Sequence, residues 1–283
     1  MNLTEAIDWG TDQLTAKQIE EARLEAEILL VHDLGIKKSE LILNQSLAID
    51  DKAFKRYKEL IARRLKHEPT AYITGYQPFM SLDFMVNRSV LIPRPETEIL
   101  VETVIKSVRS SEFGVGSFVI ADIGTGSGAI AVSLAKNLSG IKMIGIDSSS
   151  EALKVAQKNA EVHRVADRCQ FIKGNLLEPL KEKINIIVAN PPYIPSAEIG
   201  KLQPEVKDWE PKQALDGGKD GLDYVRKLID QASNHLSTQP PNYLFLEFGF
   251  GQAGAVESLA KVKFKNVEII KDYAGIPRIL KAA

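Results

Sequence analysis

Hydrophobic positions along this chain follow two different rhythms. Up to about residue 70 they recur at helical spacing. In "EARLEAEILLVHDLG", Ala22, Ala26, Leu29, Leu30 and Leu34 fall on one face, and Gly35 is placed to end the helix. In "KAFKRYKELIARRLK", Phe54, Tyr57, Ile61 and Leu65 form the apolar stripe, with Asp50 or Asp51 as N-cap and Pro69 closing the segment. The rest of that helix is basic, with Lys52, Lys55, Arg56, Lys58, Arg63, Arg64 and Lys66. A solvated face is one reading; a docking surface for a ribosomal or protein partner is the other.

The rhythm changes between Ala71 and Pro93. "PFMSLDFMVN" has strand composition and "LIPRPETE" frames Arg94 with two prolines, which predicts a short hairpin and a linker. From Phe118 onward, strand and helix alternate. "FVIADIG", "KMIGID", "CQFIKGN", "INIIVAN" and "YLFLEFG" read as strands, and "VEIIKDYAGIPRILKAA" supplies two more. "AIAVSLAKNL" and "SEALKVAQKNAEVH" read as helices between them, the second opened by a capping box of Ser148 and Glu151. Strands this continuously apolar belong in a parallel sheet covered on both faces. The prediction is an α/β, doubly wound, mostly parallel seven-stranded sheet behind a small helical domain. Its boundaries are 1–75 for the helical, substrate-docking domain, 76–93 for the hairpin and linker, and 94–283 for the catalytic domain.

Composition narrows the classes. A net charge of −1 over 283 residues gives no global attraction to nucleic acid or anionic membrane. Residues 1–75 hold eleven Lys/Arg against thirteen Asp/Glu, so the helical domain as a whole is not basic. No apolar run approaches a membrane span, and "MNLTEAIDWG" lacks the basic and apolar regions of a secretory signal. Cys169 is the only cysteine, and His32, His67, His163 and His235 show no metal-ligand spacing. The expectation is a cytoplasmic, metal-free monomer without membrane or stable nucleic-acid binding.

Two loops carry the candidate chemistry. "ADIGTGSGAIA" sets Gly124, Thr125, Gly126, Ser127 and Gly128 between the first strand and its helix. The G-x-G-x-G spacing differs from the G-x-G-x-x-G of dinucleotide binders. Asp147 ends the second strand, 23 positions after Gly124, where an acid can accept hydrogen bonds from the two hydroxyls of a ribose. Asp122, just before the loop, opposes a pyrophosphate and suits a cofactor with cationic groups, as S-adenosylmethionine has.

The second loop is "INIIVANPPYIP". Prolines 191 and 192 donate no backbone N–H, so they stop a buried strand abruptly. In a doubly wound sheet this strand crosses back beside the first, which brings Asn190 to the glycine loop. Asn190 Oδ1 and the Pro191 carbonyl can accept the two hydrogens of a planar –NH2 group, and Tyr193 can cover its face. Such a site suits in-line methyl transfer to nitrogen, with the reacting atoms held about 3–3.5 Å apart.

The ordered set "EPTAYITGYQPF", "VLIPRPETE", "DIGTGSGAIA", "NPPYIP", "ALDGGKDGLDYVRKLI" and "KDYAGIPR" resembles the bacterial release-factor glutamine methyltransferases, the PrmC/HemK family, over nearly the whole chain. Asn-Pro-Pro-Tyr alone is shared with adenine-N6 methyltransferases; "PRPETE" is the more specific motif. The resemblance implies the S-adenosylmethionine-dependent methyltransferase fold. It also implies transfer of methyl to the glutamine of the Gly-Gly-Gln motif of class I peptide chain release factors. Gly124 to Gly128 would then cradle the methionine part of the cofactor, Asp147 its ribose, and Asn175 and Leu176 its adenine, with Asn190 also against the cofactor. Asn190, Pro191, Pro192 and Tyr193 would bind the glutamine, with Asn190, Pro191 and Tyr193 at the reacting centre. "PRPETE" would form a loop over the site, or Arg94 and Glu96 an internal ion pair. An adenine-N6 methyltransferase acting on nucleic acid and a non-catalytic assembly factor of the same fold are the alternatives. The first needs a surface for phosphates; the second would have no use for intact Gly124, Asp147 and Asn190.

Overall fold

The computed structural model describes residues 1–44, 46–110, 118–238 and 240–283. They form two compact units, one of Met1–Tyr76 with Gln203–Trp209 and one of Gln77–Leu202 with Glu210–Ala283. The short segment 203–209 is therefore part of the helical unit although it lies far along the chain.

The helical unit comprises α1 (Leu3–Ala16), α2 (Ala22–Leu34), α3 (Lys38–Leu43), α4 (Asp51–Arg64) and α5 (Thr70–Thr74), joined by the single turn α9 (Pro204–Lys207), all numbered along the chain. Gly35 ends α2 in the left-handed conformation and the Asp50 carboxylate caps α4 through the Ala53 amide, as their sequence positions indicate. Leu3, Ala26, Leu29, Leu30, Tyr57 and Ile61 are buried together. Three of the arginines on the basic side of α4 have acidic partners. Arg56 pairs with Asp33 at 2.8 Å and Arg63 with Glu68 at 2.6 Å. Arg64 departs from the solvated-face reading: it is buried, and pairs with Glu25 and, at 3.2 Å, with Glu205 of α9.

The larger unit begins with the hairpin β1 (Tyr76–Phe79) and β2 (Leu82–Met85), followed by α6 (Pro95–Ser110). Then come β3 (Val119–Ile123), α7 (Ala129–Asn137), β4 (Lys142–Asp147), α8 (Ser150–Val162), β5 (Cys169–Lys173) and β6 (Ile186–Ala189). After them follow α10 (Asp223–His235), β7 (Tyr243–Glu247), α11 (Ala253–Lys261), β8 (Val267–Lys271) and β9 (Pro277–Ala282). The seven-stranded sheet has the order β5-β4-β3-β6-β7-β9-β8, and β9 runs antiparallel to both its neighbours.

Side-chain alternation explains why the strands read as unbroken apolar runs. Ile120, Ile186, Val188 and Phe245 join the core beneath α6 and α7, while Ala121, Ile123, Ile187, Ala189, Leu244 and Leu246 join the core beneath α10 and α11. Both faces are buried, so both sets must be hydrophobic. Strand order reverses between β3 and β6, whose parallel register pairs Ile123 with Ala189. The next residue on each strand is Gly124 and Asn190, so the two candidate loops leave the sheet side by side at its carboxyl edge.

One cap differs from the sequence reading. Ser149, not Ser148, caps α8, its hydroxyl accepting from the Ala152 amide at 3.2 Å. The extended backbone of Ser149 suits the N-cap position, and its own amide donates to Asp147.

Candidate active site

A cavity opens at the carboxyl edge, its empty space about 830 Å³ with the open mouth included. Gly124, Gly126, Asp147, Asn175, Leu176, Asn190, Pro191 and Pro192 all line it, joined by Ser148, Ser149, Ala152 and Tyr224. Thr125, Ser127, Gly128 and Tyr193 lie outside this lining. The first three support the loop from behind, and Tyr193 stands beyond Asn190 toward β7.

The glycine loop is folded back on its own strands. The amides of Gly124 and Thr125 both donate to the Ile146 carbonyl, at 2.8 and 3.0 Å, and the Gly128 amide donates to the Thr125 carbonyl at 2.8 Å. The Gly126 amide donates to Asp147 Oδ2 at 2.9 Å. These N–H groups are therefore not a nest for phosphate. Gly128 has φ +78°, and a Cβ there would lie 3.1 Å from the Ala156 Cα of α8, so its role is close helix packing. Asn159 of α8 adds a second support. Fully buried, it donates to the carbonyls of Ser127 at 2.8 Å and Met85 at 3.0 Å, tying the loop to the hairpin.

Asp122, just before the loop, is not part of the cavity lining. It is fully buried under the loop, accepting from Thr125 Oγ1 at 2.7 Å and from the Ala131 amide of α7 at 3.2 Å. Burial pushes its pKa up to about 7 against these hydrogen bonds. Its Oδ1 is buried without a hydrogen-bond partner among the described residues. A carboxylate at the N-terminus of α7 occupies the place where a helix would otherwise favour an anion. In its ionised form Asp122 disfavours a pyrophosphate and suits a cationic group. A ligand with a cationic group near the loop is expected to bind less tightly as pH falls through about 7 and Asp122 takes up a proton; titration calorimetry across that range checks it.

Asp147 lines the cavity with each oxygen taking one backbone N–H, from Gly126 and from Ser149 at 2.8 Å. A carboxylate has about four acceptor positions, so two remain for hydroxyls of a ligand. Replacement of Asp147 by alanine is expected to weaken cofactor binding about 10- to 100-fold, the loss of one charged hydrogen-bonding group of roughly 1.5–3 kcal/mol. Isothermal titration measures this, and an unchanged dissociation constant would refute the ribose assignment. Across the cavity the Asn175 amide donates to Glu178 at 2.7 Å, which leaves its oxygen as an acceptor beside Leu176.

The Asn-Pro-Pro-Tyr segment is held from three directions. The Gln252 amide donates to the Tyr193 carbonyl at 3.0 Å while its oxygen accepts from the Gly249 amide at 2.8 Å. Ile194 exchanges backbone hydrogen bonds with the segment "LDGG": its amide donates to the Leu215 carbonyl at 3.1 Å, and its carbonyl accepts from the Gly217 amide at 2.8 Å. Asn190 Nδ2 donates to Thr97 Oγ1 at 3.0 Å, which brings "PRPETE" into the site. Arg94 of that motif pairs not with Glu96 but with the buried Glu210, whose second oxygen accepts from the Ile92 amide at 3.3 Å.

Sequence reading passed over Thr97, Asn159, Glu210, Glu247 and Gln252. Glu247 offered one signal, a carboxylate ending the apolar strand "YLFLE", and Asn159 another, an amide in the apolar stripe of α8.

Comparison with known proteins decides the family. Residues 5–75 match the profile described as the PrmC N-terminal domain, and residues 96–202 match the methyltransferase small domain. The chain is 40% identical over 280 residues to the release factor glutamine methyltransferase of Geobacter sulfurreducens, covering 98% of this chain and 95% of that protein. It is 41% identical over 285 residues to the release factor glutamine methyltransferase of Moorella thermoacetica, covering 100% and 98%. The chain belongs to the release factor glutamine methyltransferase family. Solved structures agree on the fold: a methyltransferase from Pyrococcus furiosus superposes with a TM-score of 0.51 at 19% identity over 71% of this chain and 88% of that one. The N-terminal domain of human METTL16 in complex with SAH gives 0.50 at 18% identity over 86% of each chain. In this member of the family the pairing of Ile123 with Ala189 brings the Gly124 and Asn190 loops to one cavity.

Proposed function

We propose that this chain transfers a methyl group from S-adenosylmethionine to the side-chain nitrogen of the glutamine in the Gly-Gly-Gln motif of class I peptide chain release factors. The observation that carries the reading is the adjacency of Gly124 and Asn190 across the β3–β6 switch point, in a chain of this family. When bound, S-adenosylmethionine supplies the electrophilic methyl carbon. Asp147 holds the ribose, Asn175 and Leu176 the adenine, and Gly124 and Gly126 the methionine part.

The protein's own contribution is placement. Asn190 Oδ1 and the Pro191 carbonyl accept the two hydrogens of the target amide, and Tyr193 covers its plane. A carboxamide nitrogen is a poor nucleophile because its lone pair is conjugated. Full twisting costs about 18–20 kcal/mol, as large as the roughly 8–23 kcal/mol by which enzymes lower a barrier. Two accepted hydrogen bonds polarise the amide only in part, so orientation and exclusion of water supply the remainder. The nitrogen sheds its proton after substitution, so the site requires no strong base before transfer.

The test is transfer of labelled methyl to purified release factors, to a release factor whose motif glutamine is replaced by alanine, and to adenine-containing oligonucleotides. Label on the intact release factor alone is the expected result. Label on the oligonucleotide in preference would establish the adenine-N6 alternative.

A further inference from the structure

Gln252 stands at the N-cap of α11. Ser, Thr, Asp and Asn are favoured there because their side chains accept from the first helical amides. Gln252 makes no such bond. Its carboxamide reaches instead to three separate loops. Oε1 accepts from the Gly249 amide at 2.8 Å, and Nε2 donates to the Tyr193 carbonyl at 3.0 Å and to the Asp220 carbonyl at 3.5 Å. A carbonyl only accepts and a backbone N–H only donates. One orientation of the Gln252 carboxamide therefore satisfies all three partners, and the reverse satisfies none.

The Gly249 contact bears on Tyr193 a second time. A Cβ on Gly249 would lie 3.0 Å from Tyr193 Cδ2, so the absence of a side chain lets this turn lie close against the ring. The backbone amide of Gln252 closes the same turn by donating to the Gly249 carbonyl at 3.2 Å. One residue thus holds the Tyr193 backbone and the surface beside its ring. At the far end of the ring, Tyr193 Oη donates to Glu247 across a long 3.5 Å.

We propose that Gln252 is a positioning residue for methyl transfer: through the Tyr193 carbonyl and the Gly249 turn it holds the Tyr193 ring over the acceptor amide. This rests on the reading that Tyr193 covers the plane of the target glutamine. Gln252 is not part of the cavity lining, so it acts through Tyr193 and not on the cofactor.

The test measures kcat at saturating cofactor and release factor, cofactor Kd and melting temperature for wild type, Gln252→Glu, Gln252→Met and Val256→Ala. Glutamate has the length of glutamine, keeps an acceptor for Gly249 and adds a charge that suits a helix N-terminus. It also turns an oxygen toward two carbonyls where glutamine offers a donor. A role in helix stability alone predicts a normal rate for this variant. A positioning role predicts that kcat falls roughly 10- to 100-fold in both Gln252→Glu and Gln252→Met, because a shift of about 1 Å costs about 100-fold. The cofactor Kd is expected to stay unchanged in both. Val256, fully buried in the same helix, supplies the control. Val256→Ala is expected to melt lower than Gln252→Glu and to keep most of the wild-type rate. A wild-type rate in Gln252→Glu, a cofactor Kd raised as far as kcat is lowered, or an equal loss of rate in Val256→Ala would overturn the proposal. Failure of the underlying reading looks different: the wild type would leave the glutamine unmethylated, or Tyr193→Ala would transfer at the full rate.

Discussion

Replacement of Asn190 by alanine is expected to lower methyl transfer about 10²–10³-fold, the usual cost of one preorganised polar group at the reacting centre. Cofactor binding should change by no more than a few-fold. The asymmetry follows from what the side chain touches. Asn190 stands at the start of a proline-stiffened turn, its nitrogen is engaged by Thr97 at 3.0 Å, and its oxygen is the group left for the target. Cofactor placement depends on other residues, chiefly the glycine loop and Asp147, which hold each other through the 2.9 Å bond from the Gly126 amide. Single-turnover rates with a release factor, beside titration calorimetry with the cofactor, separate the two effects. An equal loss of rate and binding in a folded variant would count against the assigned role.

Gly221→Ala is expected to be the most damaging small substitution outside the lining of the cavity. Gly221 has φ +78°, and a Cβ at this position would lie 2.2 Å from the Tyr193 carbonyl oxygen and 2.6 Å from Gln252 Nε2. Both neighbours belong to the contact that holds the Asn-Pro-Pro-Tyr segment, since Gln252 Nε2 donates to that same carbonyl at 3.0 Å. The methyl group cannot be accepted by rotation of a flexible side-chain end, because the nearest atom is backbone. Left-handed strain costs about 1–2 kcal/mol and overpacking about 1–3 kcal/mol more. The expected result is a variant of reduced melting temperature whose transfer rate falls about 100-fold or more, because a shift of about 1 Å at the reacting centre has that effect. Melting curves and rates measured together check it; wild-type stability and rate would show that the loop yields without disturbing Tyr193.

The parts of this fold that were legible from sequence are those governed by local rules. Alternation of strand and helix, the Asp50 cap, the Gly35 stop and the abrupt end of β6 at two prolines depend on residues within a few positions of each other. The doubly wound topology implied that this strand crosses back beside the first, and that set Gly124 beside Asn190. Even locally the limits appear: Ser148 and Ser149 are equally good caps by type, and only the backbone conformation selects the second. Asp122 was placed by its nearness in sequence to the glycine loop, whereas its side chain turns under the loop to the Ala131 amide. The remaining site residues join positions that no local pattern connects. Arg94 finds Glu210, and Asn190 finds Thr97, through pairings that exist only after α6 and the loop beyond β6 have packed at the same end of the sheet. Arg64 shows the same effect in the helical unit, where a residue written into a basic stripe is buried by an acid, Glu205, from a distant segment.

The most direct test of the account is a crystal structure with S-adenosylhomocysteine and a peptide containing Gly-Gly-Gln. It should place the glutamine side-chain nitrogen within about 2.7–3.2 Å of both Asn190 Oδ1 and the Pro191 carbonyl, facing the sulfur across the cavity. A glutamine seated elsewhere, or one that meets the nitrogen rather than the oxygen of Asn190, would contradict it.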